Sequence, residues 1–399
     1  MEQEVFSIDD LCSNITDGSH FSPENILNGK YPMFSVKDMD YNGFKSSNYK
    51  TIDQITYNKL CKSDCRPLKN DILIAKDGSY LKHAFRVKED MNACILSSIA
   101  ILRPNIDKIN PDYFVYLLRS ASIKSSMANY VSGAALPRII LKAFKKMKIK
   151  LIKDRLYQDK IASILSTYDD LIEKNNRKIE ILQDMAEELY KEWFVRFRFL
   201  GYKTAKFTDG IPDGWEVKKL GDIATVIMGQ SPASEFYNTN NEGLPFHQGV
   251  GSYGKLFLKD TVYSTEGNRI AEPNSIIFSV RAPVGRINRN LSRIILGRGV
   301  AAINSTDNYN EFLLYSLKNL FQMEDIIGGG TIFTSATRND VESIKVLYPT
   351  QDVIKTFNNI AKNIEEQLRL LYLTSCNLTT QRDLLLPRLM SGKLEVKVS

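Results

Sequence analysis

The fold is decided by the stretch Glu4-Val5-Phe6-Ser7-Ile8-Asp9-Asp10-Leu11, because a similar stretch, Glu216-Val217-Lys218-Lys219-Leu220-Gly221-Asp222-Ile223, follows it 212 positions later. Working outward, Asp71-Ile72-Leu73-Ile74-Ala75 returns as Ser275-Ile276-Ile277-Phe278-Ser279, 204 positions later. A helical pattern over residues 161–189 returns over 357–385, 196 positions later. The chain is therefore one head followed by one long helix, repeated once.

The change in offset shows which part of the repeat varies. Extra residues lie within the first head, whereas the two helices align without a gap. Two dissimilar heads with matched helices are suited to reading two different sites on one extended ligand.

Composition narrows the class of protein. A chain of 399 residues, 43% hydrophobic and 25% charged, is long enough for two to three globular domains. The formal net charge of +7 favours a polyanionic ligand only weakly. The N-terminus is acidic, and no apolar run reaches the roughly 18 residues of a membrane span, so we expect a cytoplasmic protein. Five cysteines and three histidines form no zinc-ligand pattern.

Turn residues and periodicity divide the chain into four segments. Short β-branched runs and turns predict a compact α/β head over residues 1–150, and residues 211–348 repeat it. Residues 151–210 contain the first long helix, from about 158 to 196, and residues 349–399 contain the second, which we expect Pro387 to stop.

Both long helices show the a/d spacing of a coiled coil. The seam positions are Ile161, Leu165, Tyr168, Ile172, Asn175, Ile179, Leu182, Ala186, Leu189 and Trp193 in the first helix. In the second they are Phe357, Ile360, Ile364, Gln367, Leu371, Thr374, Leu378, Gln381 and Leu385. Since the helices share one chain and have matching lengths, we expect them to pack antiparallel and separate the heads. A parallel homodimer is the alternative, and the polar seam residues fit either arrangement as register-fixing positions.

Three phrases resemble one known family. They are residues 160–179 (KIASILSTYDDLIEKNNRKI), 211–221 (IPDGWEVKKLG) and 385–394 (LLPRLMSGKL). They are similar to the corresponding regions of specificity subunits of type I restriction-modification systems, and the likeness extends over the whole chain.

This resemblance implies an α+β protein with two target-recognition heads, each binding half of a split, asymmetric DNA sequence. It also implies that the helices set the gap between the halves and dock methyltransferase subunits, two of them, joined by restriction and translocation subunits. The chain itself would carry no cofactor; its partners would use S-adenosylmethionine, ATP and Mg²⁺.

The sequence offers little for catalysis. It contains no Asn-Pro-Pro-aromatic tetrapeptide of an amino-methyltransferase and no Gly-Lys-Ser/Thr phosphate loop. We therefore expect a non-catalytic subunit. A scaffolding protein that binds other proteins through its two heads is the rival interpretation, and a neighbouring methyltransferase reading frame would discriminate between them.

Candidate DNA contacts are polar and basic side chains beside glycine turns. In head one these are Ser19, His20, Lys37, Lys76, Ser79 and Lys82. In head two they are Gln230, Ser231, His247, Gln248, Arg281 and Arg286. Arg138 and Arg338 follow glycine-containing loops in the two heads, and we expect them to reach the DNA backbone.

Overall fold

A computed structural model describes residues 2–45, 49–77, 83–132, 138–327 and 335–397. The chain forms two compact units. Unit 1 is Met1–Glu173 with Cys376–Ser399, and unit 2 is Lys174–Ser375. Each unit holds one head together with part of both long helices.

Head one contains eleven strands and five helices among its described residues. The strands are β1 (Gln3–Ser7), β2 (Cys12–Asp17), β3 (Tyr31–Phe34), β4 (Lys50–Ile52), β5 (Ile72–Ala75), β6 (Ala84–Arg86), β7 (Cys94–Ile95), β8 (Ile99–Pro104), β9 (Val131–Ser132), β10 (Arg138–Ile139) and β11 (Lys148–Ile152). The helices are α1 (Ile8–Leu11), α2 (Gln54–Lys62), α3 (Pro111–Arg119), α4 (Ala121–Ala128) and α5 (Leu141–Phe144).

The central sheet of head one has the order β2-β8-β5-β6, with all neighbours antiparallel. Every residue of β5 is buried, as its entirely apolar sequence, in which every second residue is isoleucine, predicts for a strand covered on both faces. Helix α3 packs on one face through Tyr113 and Phe114, both fully buried. A second sheet, β4-β3-β7, and two ribbons, β1-β11 and β9-β10, complete the described part of the head.

The first long helix, α6 (Arg155–Tyr190), continues as a π-helical turn over Lys191–Val195. Head two follows it with strands β12 (Phe207–Thr208), β13 (Ile211–Pro212), β14 (Glu216–Lys219), β15 (Ala224–Met228), β16 (Tyr237–Asn238), β17 (Leu244–His247), β18 (Tyr263–Ser264), β19 (Ile270–Ala271), β20 (Ile276–Ser279), β21 (Ile287–Arg289), β22 (Ile294–Leu296), β23 (Val300–Ser305) and β24 (Lys345–Tyr348). Its helices are α7 (Leu220–Ile223), α8 (Asn310–Ile327) and α9 (Arg338–Glu342), and α10 (Gln351–Met390) is the second long helix.

The central sheet and the ribbon of head two repeat those of head one, whereas its second sheet, β16-β18-β17-β22-β19, has five strands where head one has three. The order β15-β23-β20-β21 matches β2-β8-β5-β6, and the β14-β24 ribbon matches β1-β11. Ser7 and Lys219 occupy equivalent places, since each precedes a short helix and each pairs with the first residue of the partner strand. The internal repeat is thus present in three dimensions.

The long helices run antiparallel. In unit 1, Ile161 and Leu165 near the start of α6 share a core with Leu386 and Leu389 near the end of α10. In unit 2, Tyr190 near the end of α6 shares a core with residues near the start of α10. The predicted α+β fold with two heads and two long antiparallel helices is confirmed.

The predicted end of the second helix is wrong. Pro387 lies inside α10, which continues to Met390. Proline removes one backbone donor and normally disrupts a helix interior. Here Leu386, Leu389 and Met390 are buried in the core of unit 1, and the Pro387 carbonyl accepts a hydrogen bond from the Ser391 amide, so packing retains the last turn.

The predicted seam holds in α6 and fails in α10. Nine seam positions in α6, and the tenth, Trp193, in the π-helical turn that follows, are all buried or half-buried. In α10, the seam positions Ile360, Gln367, Thr374 and Gln381 are exposed, while Glu365 and Arg382 are buried. Apolar spacing misplaced this seam because its buried positions include charged side chains with partners elsewhere in their own unit.

Within the described part of the chain, none of the helices combines the length and hydropathy that crossing a bilayer requires.

Candidate functional site

In head one, four of the predicted residues, Ser19, His20, Lys76 and Arg138, gather where the central sheet ends. We call this region edge 1: Gly18 to His20 after β2, Lys76 and Asp77 after β5, the turn before β8, and β10. Backbone hydrogen bonds hold it together, from the Ser19 amide to the Ile95 carbonyl (2.9 Å) and from the Lys76 amide to the Ser98 carbonyl (2.9 Å). The Ile139 amide in turn donates to the Lys76 carbonyl, which joins β10 to the edge.

Asp17 lies at the centre of edge 1. Its carboxylate forms an ion pair with Lys76, whose side chain is only 5% exposed. Nε2 of His20, a largely exposed side chain, lies 3.3 Å from the other carboxylate oxygen. Lys76 is thus held inside the head, and His20 is the member of this group that solvent can reach.

Arg138 also belongs to edge 1. Its guanidinium makes two hydrogen bonds to Asp77, of 2.6 and 2.9 Å, and these bonds raise the pKa of Arg138. Half of the side chain remains exposed. The Asp77 carboxylate therefore fixes the orientation of the half-exposed Arg138 guanidinium.

The remaining candidates of head one are Ser19, Lys37, Ser79 and Lys82. The Ser19 hydroxyl donates to the Phe21 carbonyl (2.7 Å), and Ser19 is buried. Lys37 is exposed on a short 3₁₀ turn, whose Val36 amide donates to the Ser98 hydroxyl of edge 1. Ser79 and Lys82 lie outside the described residues.

Head two forms the equivalent edge 2, with the same backbone frame. The Gly229 amide donates to the Val300 carbonyl (3.0 Å) as Gly18 does to Ile99 (3.2 Å), and Gln230 donates to Leu296 (2.9 Å) as Ser19 does to Ile95. Glycine is required at both positions because the backbone of another segment lies very close to each of them. A Cβ at Gly18 would lie 2.2 Å from the Ile95 carbonyl oxygen, and one at Gly229 would lie 2.1 Å from that of Gly297.

The side chains of edge 2 are mainly amides and hydroxyls. Gln248 is exposed, and its Nε2 lies 3.2 Å from the Tyr237 hydroxyl and 3.4 Å from the Ser231 hydroxyl. Gln230 is exposed beside them. Such groups can both donate and accept, as readout of base edges requires.

His247 lies beneath this surface. It is 1% exposed, and its Nε2 is 3.0 Å from an Asp260 carboxylate oxygen. Its Nδ1 has no hydrogen-bond partner among the described residues. The His247 carbonyl accepts from the Gly297 amide (2.8 Å), so this residue supports the backbone that carries Gln248.

The predicted arginines of head two occupy different places. The backbone of Arg281 forms a β-bridge with that of Ser335, as the backbone of Asp77 does with that of Arg138 in head one. Arg281 therefore occupies the position of Asp77, and an exposed cation replaces a carboxylate there. Arg286 is exposed, and its amide donates to the Ser279 hydroxyl. Arg338 begins α9 and forms an ion pair with Glu342 (2.7 Å).

Sequence reasoning missed Arg298. This exposed residue stands between Gly297 and Gly299, and its amide donates to the Ser231 hydroxyl (3.1 Å), which places it on edge 2. A Cβ on either glycine would clash with Gln248. A basic residue between two glycines is the sequence signal that could have identified Arg298, because the other candidates were also chosen for lying beside glycine turns.

No group of three histidine, cysteine or acidic side chains is placed to bind a metal ion among the residues that the structure describes. Both edges present exposed donors and acceptors on a hydrogen-bonded backbone frame, an arrangement that can serve recognition.

Comparison with known proteins identifies the family that the chain is similar to. The family model for the type I restriction modification DNA specificity domain matches residues 1–183 and 212–370. The chain is 31% identical over 309 residues to a putative type I restriction enzyme MjaX specificity subunit of Methanocaldococcus jannaschii, covering 75% of this chain and 72% of that protein. It is 22% identical over 403 residues to the type I restriction enzyme HindI specificity subunit of Haemophilus influenzae, covering 82% and 87% of the two chains.

Among solved structures, the fold is similar to the S subunit of a type I restriction-modification system from M. genitalium. The TM-score is 0.66 with 18% sequence identity, and the match covers 99% of this chain and 97% of that one.

Proposed function

The chain belongs to the type I restriction-modification DNA specificity family, and we propose that edge 1 and edge 2 are the surfaces with which its two heads read DNA. Each edge would contact one half of a split, asymmetric site. The recognised sequence would then be the sum of two independent half-sites.

The observation that carries this proposal is one backbone frame with two different sets of side chains. The equivalent hydrogen bonds of Gly18 and Gly229 hold both edges in the same form. At equivalent positions, however, head one has Asp77 where head two has Arg281. Because base identity is read by the pattern of donors and acceptors in the groove, such edges would select different bases.

Within this proposal the chain is non-catalytic. Methylation would be carried out by two methyltransferase subunits that use S-adenosylmethionine, and cleavage by restriction and translocation subunits that use ATP and Mg²⁺. A cytoplasmic location is part of the same proposal.

Arg298→Ala tests the assignment of edge 2. If Arg298 reads a base, the variant should bind its site about 5- to 150-fold more weakly, since one good base contact contributes about 1–3 kcal/mol. Sequence preference should relax at one position of a single half-site. If Arg298 contacts phosphate instead, binding should weaken on all sequences and the salt dependence should fall by about one ion.

Arg293→Ala is the matched control. Arg293 directly precedes β22, whereas Arg298 lies beyond its other end, and Arg293 pairs with an exposed Glu272. Affinity should stay close to that of the unaltered chain. Unchanged DNA binding by Arg298→Ala, measured on the complex with its methyltransferase, would contradict the assignment of edge 2.

A further inference from the structure

Unit 1 contains a groove of about 880 Å³ that has no part in the two edges. It lies between β11, α4 and the end of α10. Four basic residues line it: Lys148 and Lys150 on β11, Arg388 at the end of α10, and Lys393 just beyond. All four are exposed, and no acidic residue in the described part of the chain lines the groove.

The floor of the groove is apolar. Leu117, Ile149 and Met390 line it and belong to the buried core of unit 1. A basic rim over an apolar floor differs from a surface that only attracts phosphate, because a DNA backbone offers nothing to bury against the floor.

Unit 2 shows what occupies the same place in the other half of the repeat. Met390 corresponds to Phe194 by the offset of 196 that aligns the helices, and Gln3 corresponds to Trp215 by the offset of 212 that aligns β1 with β14. In unit 2, Trp215 packs against Phe194 (5.8 Å between ring centroids), Phe197 (5.5 Å) and Phe199 (5.1 Å). The segment that follows α6 thus fills this face with aromatic rings.

The charges differ between the two units in the same region. Arg388 corresponds to Glu192, Lys393 to Phe197 and Lys150 to Leu347, so three of the four basic positions are not basic in unit 2. In unit 2 this face is covered by aromatic side chains of the chain itself. In unit 1 the same face has a rim of basic residues.

We propose that this groove binds an acidic segment of a partner protein, which inserts an aromatic side chain where unit 2 places Trp215. The rim would pair with the carboxylates of that segment, and Leu117, Ile149 and Met390 would bury the ring. The proposal does not depend on the DNA-reading role of the edges, since the lining includes none of their residues.

Binding of a short fluorescein-labelled peptide of Asp and Glu residues with one Trp, measured by anisotropy with the full chain, tests the proposal. A peptide with Ala in place of Trp separates the aromatic contribution, and a DNA duplex lacking the recognition site is added as competitor. We expect saturable binding that weakens by about tenfold for the Ala peptide. Equal binding of both peptides, or displacement by the duplex, would overturn the proposal.

Two variants locate the site. Gln3→Trp places in the groove the residue that unit 2 has there, and Lys148→Glu with Arg388→Glu reverses two rim charges. Both should reduce peptide affinity by about tenfold or more while leaving binding of the recognised DNA unchanged. The control is Lys355→Glu with Lys362→Glu, an equal charge change at exposed positions of α10 in unit 2. If that control lowers affinity as much as the rim variant, the peptide responds only to net charge and the groove is not its site.

Discussion

At the scale of single residues, one buried carboxylate in each unit attaches the head to the long helices. Asp169 on α6 accepts hydrogen bonds from the Tyr116 hydroxyl (2.7 Å) and Arg119 (3.2 Å), and it pairs with Arg382 on α10. Glu365 on α10, 196 positions later, accepts from the Tyr315 hydroxyl and pairs with Arg289 (2.9 Å). Burial raises the pKa of both tyrosines, so each stays protonated and remains a donor.

Asp169→Asn should destabilise unit 1 strongly. Arg119 and Arg382 are each about 5% exposed and both pair with this carboxylate, and removing one member of a buried ion pair costs about 3–5 kcal/mol. Urea unfolding of the full chain measures the change. Asp170→Asn is the control, because Asp170 is half exposed and its pair with Lys88 should contribute less than about 1 kcal/mol. Equal stability of the two variants would show that the buried network does not hold unit 1 together.

At the scale of elements, both heads place their edges at the same end of a four-stranded antiparallel sheet. The strand order of this sheet is identical in the two heads. Its first strand, β2 or β15, is followed by a glycine, Gly18 or Gly229, that lies against the backbone of another loop. Because Gly18 and Gly229 have no Cβ, the loop after this strand can lie against the loop before β8 or β23. The frame is thus set by backbone contacts and leaves the side chains free to differ.

Gly229→Ala should displace edge 2. The new Cβ would lie 2.1 Å from one backbone carbonyl oxygen and 2.7 Å from another, and overpacking of this kind costs about 1–3 kcal/mol. DNA recognition by head two should be lost while the half-site of head one is kept, which methylation mapping of the complex would show. Gly249→Ala is the control in the same head: nothing lies within 4 Å of its Cβ. Normal recognition by the Gly229 variant would contradict the role of this contact.

At the scale of the whole molecule, the long helices are proposed to set the gap between the two half-sites. Each unit pairs one part of α6 with one part of α10 and is held by its own buried carboxylate. The unit boundaries fall close to Ile172 on α6 and Leu371 on α10. A change in helix length at these positions therefore keeps Asp169 with Arg382 in unit 1 and Glu365 with Arg289 in unit 2, although it moves Tyr372 away from its ring contact with Phe257.

Inserting one heptad after Ile172 and one after Leu371 should lengthen both helices by about 10 Å while keeping their seam. DNA rises about 3.4 Å per base pair, so the gap should grow by roughly three base pairs with both half-sites unchanged. The added pairs also rotate the second half-site by about 100°, which can weaken binding even at the right spacing. Methylation mapping decides the matter, and an active double insertion that keeps the original gap would show that the helices are not the spacer.

The sequence by itself determined the repeat, the two long helices, the seam of α6 and, through three specific phrases, the family. These properties are carried by local periodicity and by short runs of residues, which can be read without knowing what packs against them. Arg298 could have been found in the same way, because a basic residue between two glycines is a local signal.

Only the tertiary structure decided which polar residues are buried and which are exposed to solvent. Lys76 is held by Asp17, Arg138 is directed by Asp77, and the seam of α10 contains Glu365 and Arg382. Pro387 remains within a helix because its neighbours Leu386, Leu389 and Met390 are buried in the core of unit 1. In each case the partner lies far away in the sequence, and the cost of burying a charge or losing a backbone hydrogen bond is offset by contacts that only folding brings together.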